Sequence, residues 1–127
     1  MIIVDSDIMI DVLRQNPPAI QWLSSLGDEE IGLPGYVVME LIQGCKNKAD
    51  LWELEKFIAN IEIIWPSSET CNKALKVFTK FNLSHNLGLL DALIGQTAVA
   101  MDLPICTFNY KHYKVIPGLV TIQPYQK

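Results

Sequence analysis

Apolar residues follow two different spacings along the chain, and segments of the two kinds alternate. In short runs the apolar positions are consecutive, which is typical of strands buried on both faces of a parallel sheet. In longer segments they recur every three or four residues, which indicates helices with one buried face. The predicted strands cover residues 2–5, 30–34, 61–65, 104–108 and 119–123.

Helices are predicted between these strands, with ends marked by capping residues, prolines and glycines. Ser6, Asn16 and Ser67 are expected to cap three of them. The predicted helices cover residues 6–14, 17–26, 35–45, 47–60, 67–81 and 87–102, with a loop at 83–86. The alternation predicts an α/β fold in which helices cover both sides of a central parallel sheet of four to five strands.

Length and composition fit one domain spanning residues 1–127, with 50% hydrophobic and 19% charged residues. No apolar run approaches the ~20 residues of a membrane span. The opening MIIVDSD lacks the basic region of a signal peptide, so we expect a cytoplasmic protein with no membrane partner. Cys45, Cys71 and Cys106 are scattered, which predicts three reduced, buried thiols and no zinc site.

Four acidic residues occupy positions where apolar surroundings are predicted. Asp5 ends the first strand and Asp7 follows it, while Glu40 and Asp91 lie on helix faces with apolar or small neighbours. A buried carboxylate is destabilising unless something compensates its charge. Asp11, one turn beyond Asp7, is interpreted as a surface or outer residue.

Each acid also has a local explanation. Asp5 or Asp7 could cap the first helix. Glu40 could lie on an exposed helix position. Asp91 could lie in the first turn of its helix, where the macrodipole favours a negative charge.

No basic side chain is an obvious counter-ion for these acids. Arg14 is the only arginine, and the lysines lie mainly on polar faces or in loops. Carboxylates brought together raise one another's pKa or bind cations, and oxygen-only ligands suit Mg²⁺ or Mn²⁺. The net charge of −4 argues against holding nucleic acid by bulk charge alone, but a bound cation would invert the local sign.

Four segments of the chain resemble the PIN-domain family and, within it, the VapC-type toxins of VapBC toxin–antitoxin pairs. The similarity is carried by VDSDIMIDVL (4–13), VVMELIQG (37–44), LLDALIGQTA (89–98) and TFNYKHYKVIPGL (107–119). These segments lie in the family's order and together extend over nearly the whole chain. The resemblance implies a PIN-like three-layer α/β/α sandwich and a metal-dependent endoribonuclease.

The resemblance also implies the residues of the active site. Asp5, Glu40 and Asp91 take the family's metal-ligand positions, with Mg²⁺ or Mn²⁺ as the cofactor. Asp7 is expected to join them as a further ligand. The family often has another acid in the last segment, where this chain has Asn109. We expect Asn109 to act in catalysis through its amide, and its neutrality argues against a second tightly held ion.

The implied reaction is hydrolysis of RNA by a metal-activated water, with Thr107 and Asn109 positioning water or phosphate. A water nucleophile does not use the 2′-OH, so the products should carry 5′-phosphate and 3′-hydroxyl ends. The RNA is expected to meet a basic and aromatic cluster, for which the alternative is a solvated loop. That cluster consists of Tyr110, Lys111, His112, Tyr113 and Lys114.

The resemblance further implies two protein partners, a VapB-type antitoxin and a second copy of the chain in a homodimer. Trp22 and Trp52, on the early helices, are candidates for either contact. The alternative for both is a place in the core.

Other functions stay open at this point. The opening VDSD also resembles phosphatases of the haloacid dehalogenase class, in which Asp5 would be a phosphorylated nucleophile, although the chain has no Gly-Asp-x-x-x-Asp stretch. A non-catalytic PIN-like binding module would keep the fold without the metal. A receiver domain is disfavoured because no aspartate follows the strand at 61–65.

Overall fold

A five-stranded parallel sheet forms the centre of the computed structural model, which describes every residue from Met1 to Lys127. The strand order is β3-β2-β1-β4-β5, so the carboxyl ends of all five strands lie at one edge. The strands are β1 (Ile2–Val4), β2 (Ile31–Pro34), β3 (Glu62–Ile64), β4 (Ile105–Cys106) and β5 (Thr121–Ile122).

Helices cover both faces of the sheet, which confirms the predicted three-layer α/β/α architecture. None of them combines the length and apolar character needed to cross a membrane. The helices are α1 (Ser6–Leu13), α2 (Pro17–Ser25), α3 (Gly35–Gln43), α4 (Lys48–Ile58), α5 (Ser68–His85), α6 (Leu89–Met101) and α7 (Tyr110–Tyr113).

The central strand β1 lies at the heart of the hydrophobic core. Ile3 and Val4 of β1, Leu33 of β2 and Ile105 of β4 have no exposed surface. Each such side chain contributes roughly 1.5–3 kcal/mol through burial. β1 pairs with β2 on one side and with β4 on the other. Asp5, which directly follows β1, is therefore anchored to the central, fully buried strand of the sheet.

The outer strand β3 departs from the prediction that strands are buried on both faces. Its Glu62 and Ile63 are exposed, and only Ile64 is buried. β3 pairs with β2 alone and forms one edge of the sheet. An edge strand is covered on fewer sides, so consecutive apolar residues did not mean full burial here.

The predicted loop at 83–86 is wrong for its first three residues, because α5 continues to His85. Asn86 ends the helix in the left-handed conformation, with a φ of 56°, and asparagine tolerates that region better than most residues. Phe81 and His85 pack edge to face one turn apart, which supports the last turn of the helix. These local interactions outweigh the modest helix propensities of the segment.

Two smaller predictions also need correction. Asp5, and not Ser6, is the cap residue of α1, and Ser6 is the first residue of the helix. The three cysteines are free, as expected, but only Cys106 is buried, while Cys45 and Cys71 are partly exposed. The caps predicted at Asn16 and Ser67 are confirmed.

The short helix α7 was not predicted, and it approaches α6 closely at Gly95. A Cβ at Gly95 would lie 2.5 Å from Ile116 Cδ1 and 3.4 Å from Tyr113 Cδ1. The missing side chain therefore allows the segment after β4 to pack directly on α6. This contact fixes α7 beside the carboxyl-terminal edge of the sheet.

Candidate functional site

Asp5 is the most buried carboxylate of the protein, with 4% of its surface exposed. Its Oδ1 accepts a hydrogen bond of 2.8 Å from the Ser6 backbone N–H, and its Oδ2 accepts one of 2.8 Å from the Thr107 hydroxyl. Burial, followed by the charge of Asp7, raises the pKa of Asp5 to about 6. Asp5 thus has two partners for its oxygens but no cation to offset its charge.

Asp7 connects the start of α1 to the segment that follows β4. Its Oδ1 accepts from the Ile8 backbone N–H at 2.8 Å, and its Oδ2 accepts from the Phe108 backbone N–H at 2.9 Å. Burial raises the pKa of Asp7. The Thr107 hydroxyl in turn accepts from the Asn109 backbone N–H at 2.9 Å. The two aspartates and this segment therefore form one hydrogen-bonded unit.

Glu40 extends towards this unit from α3, which begins directly after β2. It is partly buried, so the prediction of an inward position holds better than the alternative of an exposed one. Burial, followed by the charges of Asp5, Asp91 and Asp7, raises the pKa of Glu40 to about 7. The side chain of Ser6 acts in the opposite direction and lowers it. A pKa raised by three other carboxylates requires that all four lie in one region.

Asp91 occupies the predicted inward position, and it also lies in the first turn of its helix, which was the alternative explanation for an acid there. It lies in the first turn of α6, and its Oδ2 accepts from the Gly88 backbone N–H at 3.3 Å. Its side chain is 20% exposed, and its charge raises the pKa of Glu40, so it also belongs to the carboxylate cluster. Asp91 is both a helix-capping residue and a member of the cluster.

His112 is the neighbour of Asp91 that sequence reasoning did not identify. Its Nδ1 lies 3.4 Å from Asp91 Oδ2, and its side chain is 43% exposed. The sequence placed His112 only in a possible RNA-contacting cluster. The contact depends on the short helix α7 and its packing on α6, and no spacing in the sequence signals either.

No lysine or arginine forms an ion pair with any of the four acids, as the sequence led us to expect. Ion pairs of the other acidic residues lie elsewhere: Asp11 contacts Lys127 Nζ at 3.1 Å and Glu69 contacts Lys73 Nζ at 3.7 Å. No three acidic, histidine or cysteine side chains are near enough to one another to form a ready-made set of metal ligands. The cluster is therefore a concentration of negative charge, offset only in part by Lys127, whose charge lowers the pKa of Asp7. Its side chains would have to converge further to hold a cation together.

Asn109 and Asp11 differ from the four acids in their surroundings. Asn109 is exposed, and its side chain makes no hydrogen bond, although its backbone N–H contacts Thr107. Asp11 is engaged outside the cluster, where its Oδ2 accepts from the Tyr125 hydroxyl at 2.7 Å and pairs with Lys127. The interpretation of Asp11 as an outer residue agrees with these contacts.

The aromatic residues considered as contacts divide into exposed and buried ones. Tyr113 is 1% exposed, so it cannot contact RNA as part of the predicted cluster, whereas Tyr110 is exposed. Trp22 is partly buried, with its ring centroid 6.3 Å from that of Tyr125. Trp52 is 64% exposed and is free to meet a partner.

Comparison with known proteins supports the resemblance to the PIN-domain family. Residues 2–116 match the sequence model of the PIN domain. The chain therefore belongs to the PIN domain family, and the resemblance inferred from the four segments is confirmed. Among its relatives are two ribonucleases of Mycobacterium tuberculosis. VapC10 is 31% identical over 121 residues, covering 94% of this chain and 90% of the relative. VapC19 is 28% identical over 122 residues, covering 94% and 97%.

Solved structures show the same fold at lower sequence identity. A chain in a toxin–antitoxin complex from Klebsiella pneumoniae superposes with a TM-score of 0.81 at 24% identity, covering 100% of both chains. A chain in DNA-bound VapBC from Salmonella typhimurium gives a TM-score of 0.81 at 21% identity, covering 96% of this chain and 98% of that one. The fold of this protein is therefore that of the matched chains in these complexes.

Proposed function

We propose that this protein is a metal-dependent endoribonuclease, the toxin component of a type II toxin–antitoxin pair. The observation that carries the proposal is the gathering of Asp5, Asp7, Glu40 and Asp91 at one edge of the sheet, where none of them forms an ion pair with a lysine or an arginine. Like charges held together disfavour their own ionised forms unless a cation binds. The similarity to VapC ribonucleases supports the same conclusion.

The residues of the cluster fit a hard divalent cation, Mg²⁺ or Mn²⁺. All four side chains offer carboxylate oxygens, which these ions prefer. The hydrogen bonds to Asp5 leave each of its oxygens a second lone pair. Asp5, Glu40 and Asp91 would hold the ion, with Asp7 beside them. When bound, the ion would place positive charge at the scissile phosphate and make a water acidic enough to attack at neutral pH.

The other residues of the site orient these ligands and the substrate. Thr107 fixes one oxygen of Asp5, and Asp7 holds the Phe108 backbone, so the segment after β4 and the start of α1 are placed together. Asn109 presents an exposed amide next to this segment, where it would position water or phosphate. Lys111 and Lys114 are exposed on the same segment and would meet the RNA backbone.

The proposal is tested with purified Glu40→Gln and Asp91→Asn, which remove one charge each and keep the shape of the side chain. Glu55→Gln, on the exposed part of α4, serves as the control. Both site variants should lose at least about 100-fold in Mg²⁺-dependent RNA cleavage, while Glu55→Gln should keep it. Wild-type products should end in 5′-phosphate and 3′-hydroxyl. Full activity in a site variant, or 2′,3′-cyclic phosphate products, would contradict the assignment.

The surroundings of Asp5 weigh against the phosphatase alternative. That chemistry needs a lysine beside the nucleophilic aspartate, but the lysine ion pairs of this protein involve Asp11 and Glu69 and not Asp5. The non-catalytic alternative is separated by calorimetric titration of Mn²⁺ into the wild-type protein. Binding that is lost in Glu40→Gln favours the nuclease, and no binding favours the module.

A groove of about 950 Å³ is the proposed place for a VapB-type antitoxin. It lies between the first four helices and is lined by Ile10, Leu23, Leu41 and Phe57 among others, and it reaches Glu40. A partner segment in this groove would therefore end beside the carboxylate cluster. Chains of the same fold occur in a toxin–antitoxin complex and in DNA-bound VapBC, which supports a partner of this kind.

The antitoxin proposal is tested by co-expression with the product of an adjacent reading frame. Ile10→Lys, which places a charge in the groove, should abolish the complex, while Leu83→Lys on the exposed side of α5 should not. Equal complex formation by both variants would place the partner elsewhere. The proposed homodimer is tested separately, by sedimentation of the wild-type protein alone.

A further inference from the structure

The Tyr113 hydroxyl is a buried polar group that lies beside Asp5 but has no partner at full hydrogen-bond geometry. The residue is 1% exposed, so water does not satisfy the hydroxyl from the surface. An unsatisfied buried hydroxyl is destabilising and is rare in folded proteins. A phenylalanine would fill the same space without this cost, so the hydroxyl calls for an explanation.

The hydroxyl faces the carboxylate cluster. Burial, followed by the charges of Asp5 and Asp91, a weak hydrogen bond to Asp5 and the charge of Glu40, raises the pKa of Tyr113 well above its ordinary value. A tyrosine in this state keeps its proton, so it can act only as a donor towards an anion. The interaction with Tyr113 also lowers the pKa of Asp5, which means that the hydroxyl favours the ionised carboxylate.

The ring that carries the hydroxyl is held firmly. Tyr113 ends α7, and its ring packs against α6 at Gly95, where only a missing side chain makes room. Ile116 packs against the same position of α6. Because the ring is fixed by packing, a hydrogen bond from its hydroxyl would require little further loss of conformational freedom.

We propose that Tyr113 is a positioning residue whose hydroxyl donates a hydrogen bond to the Asp5 carboxylate in the cation-loaded state. The inference rests on the proposed metal site and adds a residue to it. Asp5 has the Ser6 N–H and the Thr107 hydroxyl as partners already, and Tyr113 supplies a third donor that holds the carboxylate ionised. In the structure the hydroxyl approaches Asp5 without completing this bond.

The test is calorimetric titration of Mn²⁺ alone into wild type, Tyr113→Phe and Tyr36→Phe. Tyr36 is the matched control, since its hydroxyl lies beside Cys71 and its ring packs edge to face on Trp65. Tyr113→Phe should weaken Mn²⁺ binding about tenfold, the size expected for a hydrogen bond to a charged group. Tyr36→Phe should bind Mn²⁺ as wild type does.

Thermal melting provides a second measurement. A merely structural role of the hydroxyl predicts the opposite change in melting temperature. In EDTA, Tyr113→Phe should melt at or above the wild-type temperature, because it removes an unpartnered hydroxyl, yet it should gain less on addition of Mn²⁺. Unchanged Mn²⁺ affinity in Tyr113→Phe would overturn the role of the hydroxyl and leave the metal site standing. Absence of Mn²⁺ binding by the wild type would overturn the metal site itself and this inference with it.

Discussion

The Thr107 hydroxyl donates a hydrogen bond of 2.8 Å to Asp5 Oδ2 across 102 positions of sequence. The two residues directly follow the paired strands β4 and β1, so the sheet register brings them together. The same hydroxyl accepts from the Asn109 backbone, which passes the constraint on to the start of α7. One hydroxyl thus ties the innermost carboxylate to the segment proposed to meet the substrate.

Replacing this hydroxyl should destabilise the protein. Thr107→Val keeps the shape of the side chain but leaves a buried carboxylate oxygen without its donor, which should lower the free energy of unfolding by about 1–3 kcal/mol. Urea denaturation at pH 8 measures the change. Thr79→Val is the control, because the Thr79 hydroxyl bonds to a backbone carbonyl on an exposed helix face. Equal losses in the two variants would show that the Asp5 contact has no special weight.

The metal-free protein should lose stability as the pH rises from about 4 to about 7. The pKa values of Asp5 and Glu40 are raised, to about 6 and about 7, so the folded state holds protons that the unfolded state has released. Stability is therefore greatest below the unfolded pKa values and falls as the pH passes through the folded ones. Urea denaturation in EDTA across this range would contradict the cluster if it gave a flat or rising profile.

Glu40→Gln should stabilise the metal-free protein above pH 7, by about 1 kcal/mol once solvent screening of this partly exposed group is allowed for. The substitution removes a charge that repels three other carboxylates. The same series of urea denaturations measures this gain. Near the upper end of the pH range, the free energy of unfolding should depend less on pH in the variant than in wild type. Glu55→Gln should show neither effect. Destabilisation by Glu40→Gln would mean that the charge is compensated in the folded protein.

Divalent cations should reverse the pH dependence. An ion that binds only the folded state stabilises it according to its concentration relative to its dissociation constant. Because it binds ionised carboxylates, the rise in melting temperature with Mn²⁺ should be larger at pH 8 than at pH 5. Sodium chloride at matched ionic strength is the control for screening. A Mn²⁺ effect that is the same at both pH values would indicate binding outside the cluster.

Gly95→Ala should disturb the site through packing alone. The added methyl group would lie 2.5 Å from Ile116 Cδ1, so α7 or α6 must shift, at a cost of about 1–3 kcal/mol. Gly44→Ala is the matched control, since its nearest neighbours are 3.5 Å and 3.7 Å away and its backbone is helical. That variant should be neutral or slightly stabilising. Thermal denaturation in EDTA compares the two, and equal melting points would rule out the close approach of α7.

Tyr125→Phe should loosen the segment after β5. The Tyr125 hydroxyl donates to Asp11 at 2.7 Å, while its ring packs on Phe108 and Trp22. Loss of this bond should lower the free energy of unfolding by about 1 kcal/mol and speed hydrogen exchange at the Phe108 amide. Tyr110→Phe, at an exposed position, should do neither. Unchanged hydrogen exchange at the Phe108 amide would show that the segment after β5 does not stabilise the connection between β4 and α7.

Sequence patterns predicted the sheet well because its strands have few alternatives. Consecutive apolar residues around Ile3, Leu33 and Ile105 cannot be solvated, so they indicate buried strands wherever turns allow. The prediction of a loop at 83–86 was wrong because the end of α5 is set by the left-handed conformation of Asn86. Such a choice depends on one backbone position and leaves little trace in hydrophobic spacing.

The site was predictable to the extent that its residues conflict with their surroundings. Asp5, Glu40 and Asp91 are charged within apolar segments, which is visible in the sequence alone. Their hydrogen-bond partners were less visible, since Ser6 and Thr107 are ordinary polar residues next to strand ends. His112 and Tyr113 could not be assigned because both depend on the packing of α7 against Gly95.

The loss of Asp5 and the loss of Glu40 should have different consequences in evolution. Asp5 is joined to the central sheet by the Thr107 bond, so a lineage that loses this side chain also weakens the folded molecule. The charge of Glu40 is disfavoured by burial and by the charges of the other three carboxylates, and its loss relieves both effects. Natural copies that have been disarmed but are still produced should therefore differ at position 40 more often than at position 5.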